Sequence, residues 1–431
     1  MRFSKSRILP LLLAGATLAG SAALAVNAGP SAAASIPINH VVVLMQENRS
    51  ADHYLGHLYT QGVNYLPEPP GASNPNPLNP SAPPIRAYHE TRYCEPADLN
   101  HSWNGSHTEW DNGAMDGFTK ANEDPSDPTG RRTMGYYNQK DLPYYYALDK
   151  KFATGDHYFQ SVLSQTFPNR FYLLAGTSFG HISNDIPTNP LNDFNQKTIF
   201  ENLDAKGISW KVYFSEVPFA GLFSYVRDHA VGHLFPLSQY FVDAATGHLP
   251  QVSYVDPIFI GTANTETDEH PPSNIQVGEK SSSEIVNALM RSPNWSSSAL
   301  FLTYDEHGGF FDHVPPPAAV TPDNIPPTLK PGDAPGAFDR LGFRVPMTVI
   351  SPYSKPHYVS HITYDHTSTL KFIETRFGLP PLTRRDAAAA DMTDFFDFSH
   401  RSFAKPPTLP TAPINLAQFL ACAAAPPNTG V

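Results

Sequence analysis

The sequence predicts an α/β fold with a mainly parallel central sheet and helices on both faces, a three-layer sandwich. Three observations point there. Five short apolar runs, at residues 40–45, 208–214, 252–255, 299–304 and 345–350, are continuous rather than alternating. That pattern belongs to strands covered on both faces. Helical patterns fall between the runs, and two of the strands open directly into carboxylate and amide side chains. In parallel sheets, sites form at such carboxyl ends.

The first run is VVVLMQENRS, residues 41–50, and the fourth is LFLTYDEHGG, residues 300–309. One helix is expected to open at Ser282-Ser283-Glu284 and to carry Ile285, Ala288 and Leu289. Another is expected to open at Thr367-Ser368, run through Leu370, Phe372 and Ile373, and stop at Gly378 and Pro380. In SQTFPNRFYLL, residues 164–174, Pro168 suits the first turn of a third helix, with Thr166 just before its N-terminus. There are 44 prolines, about twice the usual frequency. Their clusters read as surface loops and a tail rather than as a linker, so residues 36–419 form one domain and 420–431 a tail.

With 431 residues, 41% of them hydrophobic, the chain can bury a large core. The net charge is −11, from 29 basic and 40 acidic residues. No basic block follows the N-terminus, which excludes a nucleic-acid partner. Arg2, Lys5 and Arg7 precede an apolar stretch at residues 8–24, the pattern of a signal peptide. Residues 1–28 are assigned to it, with cleavage there or as late as 34, and a secreted or periplasmic protein is expected. Cys94 and Cys422 are the only cysteines, and their pairing does not follow from the sequence.

The two strand-end clusters offer Glu47, Asn48, Asp305 and Glu306. Brought together, three carboxylates and an amide oxygen would suit one hard or borderline divalent ion. Solvated loop carboxylates are the plainer reading of either cluster alone. Thr166 faces unpaired N–H groups and the positive end of a helix dipole, a place that stabilises an alkoxide or a phosphate. On its own residues it reads first as a simple N-cap. Composition does not choose among the 18 histidines, of which His101, His107, His270 and His313 (after Asp312) lie in polar motifs.

These stretches, with others in order along the chain, resemble one bacterial phosphoesterase family. It contains phosphatidylcholine-type phospholipases C and an acid phosphatase, and is related to plant non-specific phospholipases C. The matching segments are VVVLMQENRSADHYLG, HSWNGSHTEWDNGAMDGF, MGYYNQKDLPYYYAL, TFPNRFYLLAGT, TYDEHGGFFDHVPPP, GFRVPMTVISPYSK and YDHTSTLKFIETRFGL. The resemblance implies an alkaline-phosphatase-like core and a metal-assisted phosphoenzyme mechanism in a single catalytic domain. It implies Glu47, Asn48, Asp305 and Glu306 as ligands of one divalent ion (calcium, magnesium, manganese or zinc). Thr166 is implied as nucleophile and further ligand, and His270 and His101 as phosphate-contacting residues. Asp312 and His313 are added as catalytic candidates, with His107 and Asn169 as substrate contacts.

The sequence departs from the family pattern at Ala51, Leu55, Gln160 and Phe167, all beside the chemistry. The expected activity is phospholipase C on phosphatidylcholine-like lipids, with transient contact to a membrane surface. Acid phosphatase on small phosphomonoesters is the alternative, and a non-catalytic secreted binding protein a distant third. Tyr136, Tyr137 and Tyr144 to Tyr146 would either box a choline cation or pack in the core.

Overall fold

The computed structural model describes residues 36–186 and 194–425. The signal-like segment lies outside the described residues. Eight strands form the main sheet: β1 His40–Gln46, β2 Ala153–Gly155, β3 Trp210–Phe214, β4 Leu234–Pro236, β5 Val252–Val255, β6 Ser298–Tyr304, β7 Met347–Ile350 and β8 Val359–Ser360. Their spatial order is β8-β2-β7-β6-β1-β5-β3-β4. The helices used below are α1 Ala51–Leu55, α2 Trp103–Trp110, α3 Pro143–Lys151, α4 Thr166–Ala175, α5 Leu237–Thr246, α6 Ile275–Arg291 and α7 His366–Phe377.

Continuous apolar runs become central strands because both faces are covered. In β1, Val41 to Gln46 are all buried. Val43 lies opposite Phe301 and Tyr254, and on that face the Phe301 ring meets Phe372 of α7 at 5.0 Å. Leu44 and its neighbours point the other way, where Tyr213 meets Tyr240 of α5 at 5.5 Å. On that second face Thr348 of β7 donates a hydrogen bond to Asp149 of α3. The result is the three-layer α/β sandwich expected from the sequence.

Two details differ from expectation. β7 runs antiparallel to both β6 and β2, because the long loop from Tyr304 returns to the same end of the sheet. Unbroken hydrophobicity reports burial on two faces and carries no information on direction. The long helix α6 starts at Asn274, whose side chain accepts from Gln276 N, rather than at Ser282. Ser282 and Ser283 lie inside it, with Ser283 Oγ donating to Lys280 O at 2.6 Å, a local bond that lets serine sit within a helix. Similarly, α7 opens at Asp365, in a reciprocal cap with Ser368.

The segment read as a tail begins inside a helix, Leu416–Cys422. Cys422 is disulfide-bonded to Cys94 across 328 residues of sequence. Among the described residues no helix is long and apolar enough to cross a membrane.

Burial pushes the Asp149 carboxyl up to about 7, although hydroxyls of Thr348 and Thr154 partly hold it down. The fold therefore favours the neutral acid. Its contribution is complete below the unfolded value near pH 4 and is lost as pH rises through about 7. Asp149→Asn, which cannot ionise, should gain on the order of 3 kcal/mol relative to the wild type between pH 5 and 8. Thermal unfolding at both pH values measures this, and a Tm difference that does not change with pH would contradict it.

Candidate active site

The register of the sheet builds the centre of the site. Gln46 lies opposite Tyr304 in the parallel pair β1–β6, so Glu47 and Asp305 emerge side by side, followed by Asn48 and Glu306. All four are buried. Asn48 holds a left-handed backbone, φ 60°, fixed by its N–H donating to Asp305 Oδ1 at 3.2 Å. The Arg49 N–H donates to Glu306 O at 3.0 Å. Gly308 is required where the two segments cross. Its φ is +67°, and a Cβ there would stand 2.3 Å from Asn48 O.

Arg170 is the cation set against these carboxylates. It reaches Glu47 at 3.1 Å and Asp305 at 3.2 Å. Burial, with Asp305 and Glu306, pushes the Glu47 carboxyl well above its usual range, against the pull of Arg170. Burial and Glu306 likewise raise Asp305, again opposed by Arg170. Arg170 belongs to α4, in which Thr166 is the first residue. Positions i and i+4 share a helix face, so Thr166 stands one turn from the ion-paired guanidinium. The cap is Gln165, whose own side chain makes no capping bond, and the Phe167 N–H is taken instead by Asn184 Oδ1 at 2.8 Å. Thr166 is therefore not the N-cap that its local sequence suggests.

Histidines border the cluster. His101 Nδ1 lies 3.4 Å from Asn48 Nδ2. Burial opposes its protonation, but Glu306, Asp98 and Asp305 push it up to about 9. Asp98 Oδ2 lies 3.7 Å from both His101 Nδ1 and His270 Nε2. His270 is anchored by its own N–H to Asp268 Oδ1 at 3.0 Å, and Asp268 O accepts from Glu47 N at 2.8 Å.

A match to the phosphoesterase family spans residues 38–380. The chain belongs to the phosphoesterase family. As a phosphoesterase it hydrolyses phosphoric esters. It is 35% identical to phospholipase C B of Mycobacterium tuberculosis, over 87% of this chain and 80% of that one. It is 34% identical to non-specific phospholipase C1 of Arabidopsis thaliana, over 84% of this chain and 71% of the plant protein. Among solved structures it is similar to an alkaline phosphatase superfamily protein from Vibrio parahaemolyticus. That likeness has a TM-score of 0.39 and 10% identity, and covers 83% of this chain and 70% of the other.

Several further candidate residues of the phosphoesterase have partners of their own. Asp312 and His313 join a network with Arg344 and Asp52. Arg344 pairs with Asp52 at 2.8 Å and with Asp312 at 2.9 Å, and His313 with Asp52 at 2.6 Å. No hydrogen bond among the described residues ties Asp312 or His313 to the carboxylate cluster. His107 packs on Trp103, ring centres 4.1 Å apart, and burial lowers its pKa. Tyr137 and Tyr144 to Tyr146 are buried in the core. Tyr145 donates to Glu269 at 2.5 Å.

Asn169 binds the loop that precedes the candidate nucleophile. Its Oδ1 accepts from Val162 N at 3.0 Å, and its Nδ2 donates to Ser164 O at 2.8 Å. Gln160 donates to Val162 O at 2.7 Å and accepts from His307 N at 3.0 Å. It thus ties the Thr166 loop to the Asp305 loop. Sequence reasoning passed over Asp98, Asp268 and Arg170. Arg170 did carry a signal, since an arginine four residues after Thr166 on a buried helix face needs an acidic partner. Asn169→Ala should free this loop and lower kcat by roughly 10–100-fold with little change in KM. Steady-state kinetics decide this, and an unchanged kcat would show that the loop holds without the amide.

Proposed function

We propose that this phosphoesterase is a secreted, metal-dependent phospholipase C acting on phosphatidylcholine-like lipids through a phosphothreonine at Thr166. The observation that carries the reading is the double ion pair of Arg170, which ties the helix beginning at Thr166 to Glu47 and Asp305. The donors suit a divalent ion. Asn48 Oδ1 and Glu306 Oε1 are buried with no protein partner, and the whole set is oxygen, as calcium, magnesium or manganese favours and zinc accepts. Glu47, Asn48, Asp305, Glu306 and Thr166 would hold it. Bound there, the ion would supply Lewis acidity that eases release of the threonine proton to water and offsets phosphoryl charge.

The chain's own groups do the rest. The Thr166 oxygen attacks phosphorus in line, at a helix start whose dipole favours negative charge. His270 protonates the departing diacylglycerol oxygen. His101 contacts the nonbridging oxygens. Asp98 orients both imidazoles, and water then cleaves the phosphothreonine.

A lipid substrate is supported by the relatives, which are named phospholipases C. It is also supported by an apolar rim. Val217 and Ile260 are exposed on the loops after β3 and β5, and in the same loops Phe219 and Phe259 cover Arg170 at 5.4 and 5.0 Å. Export is supported by the signal-like N-terminus and by the Cys94–Cys422 disulfide, a bond of oxidising compartments.

Thr166→Ala should lower turnover by at least ~10³-fold while the circular dichroism spectrum and Tm stay those of the wild type. Thr166→Ser should retain part of the activity. Full activity in the alanine variant refutes the assignment. Assaying phosphatidylcholine beside an aryl phosphomonoester tests the substrate. Turnover of the monoester alone would replace this reading with acid phosphatase.

A further inference from the structure

Two strands along from β6, at the same carboxyl edge of the sheet, lies a second set of ligand-type side chains that the phosphoesterase chemistry leaves unused. β2 and β8 are parallel with Ser360 opposite Gly155, so Asp156 and His361 leave neighbouring strand ends in the same direction. His157 follows directly. One ligand atom from each of Asp156, His157 and His361 lies within 4.8 Å of the others. Asp156 Oδ1 is 2.7 Å from His157 Nδ1, and Asp156 Oδ2 is 2.9 Å from His361 Nδ1. Donors each about 2.0–2.2 Å from one ion stand roughly 3 Å apart, which these separations approach.

The surroundings are those of a held but reachable site. The Asp156 side chain is 1% exposed, against 30% for His157 and 51% for His361, so an ion can enter from solvent past the two rings. Leu66 N donates to Asp156 Oδ2 at 2.9 Å and fixes the carboxylate. The Asn64 amide lies 3.2 Å from His361 Nε2. An outer partner of this kind sets ring orientation and tautomer in metal-binding histidines. Asn64 Nδ2 donates to Nε2 there, so the Nδ1 proton faces Asp156, and a bound cation would take that proton's place. Arg344 Nη1 donates to Asp156 O at 3.1 Å. It is already paired with Asp52 and Asp312, so it does little to repel a cation.

We propose that Asp156, His157 and His361 form a second divalent-cation site that clamps β8 and the segment at Asn64–Leu66 onto β2. Two imidazoles and one carboxylate with an open position favour a borderline ion such as zinc over calcium or magnesium. The site is distinct from the Glu47–Asp305 cluster, because β7 separates β2 from β6 in the sheet.

The test counts zinc on the full chain. Protein stripped with a chelator is titrated with Zn²⁺, for the wild type, His361→Gln and His157→Gln. Each substitution is expected to remove one bound ion per chain, or to weaken its binding at least about tenfold. Each should also abolish the zinc-induced rise in Tm, with metal-free Tm unchanged and phosphoester hydrolysis at the wild-type rate under saturating cation. Binding isotherms that superimpose for all three proteins would overturn the proposal and leave the trio as hydrogen bonds shared by protons. Loss of hydrolysis in step with loss of the ion would also overturn it, by assigning the ion to the catalytic centre.

Discussion

Carboxylates leave two adjacent strand ends into a region from which solvent is largely excluded, and their mutual repulsion has to be offset for the chain to fold. The side chain that does so is Arg170. Besides Glu47 and Asp305 it donates to the carbonyls of Met45 and Gln46, at 3.1 and 3.3 Å. Removing one partner from such a buried pair typically costs about 3–5 kcal/mol, because the other charge is left uncompensated. Arg170 therefore fixes α4 against the ends of β1 and β6, and with it the position of Thr166. Fold stability and site geometry here depend on the same contact.

Around that contact, long-range hydrogen bonds hold the loops in place. His307 sits between Glu109 at 2.7 Å and Glu306 at 3.2 Å. Although burial opposes it, these carboxylates push the imidazole up to about 9, so the Glu306 loop is held by a charged, buried bridge. Gln160 and Asn169 do the same for the Thr166 loop with neutral amides. On the opposite border, Cys94 is bonded to Cys422, and Asn264 donates to Phe419 O at 2.7 Å. The helix Leu416–Cys422 thereby fastens both the segment leading to Asp98 and His101 and the one leading to His270.

The departures from the family pattern acquire physical meaning in this setting. Gln160 spans from the Val162 carbonyl to the His307 N–H. Phe167, beside Thr166, stacks edge-on against Phe219 at 5.2 Å, which joins it to the apolar cover over Arg170. Ala51 and Leu55 are both buried in the short helix α1.

Much of the architecture was legible in the residues themselves. Unbroken runs such as VVVLM mark strands covered on both faces, and polar bursts at 47–48 and 305–306 mark where those strands end. Both are local signals set by burial and chain direction. The family was legible because its motifs occur in order along the chain. What tertiary structure alone decided is non-local. The antiparallel course of β7, the pairing of Cys94 with Cys422, the helix start at Asn274 rather than at Ser282, and the network of Asp312 and His313 with Arg344 and Asp52 each depend on residues distant in sequence. Hydrophobic period records how deeply a segment is buried. Which buried charge meets which is set by register and helix docking, and only the folded chain determines those.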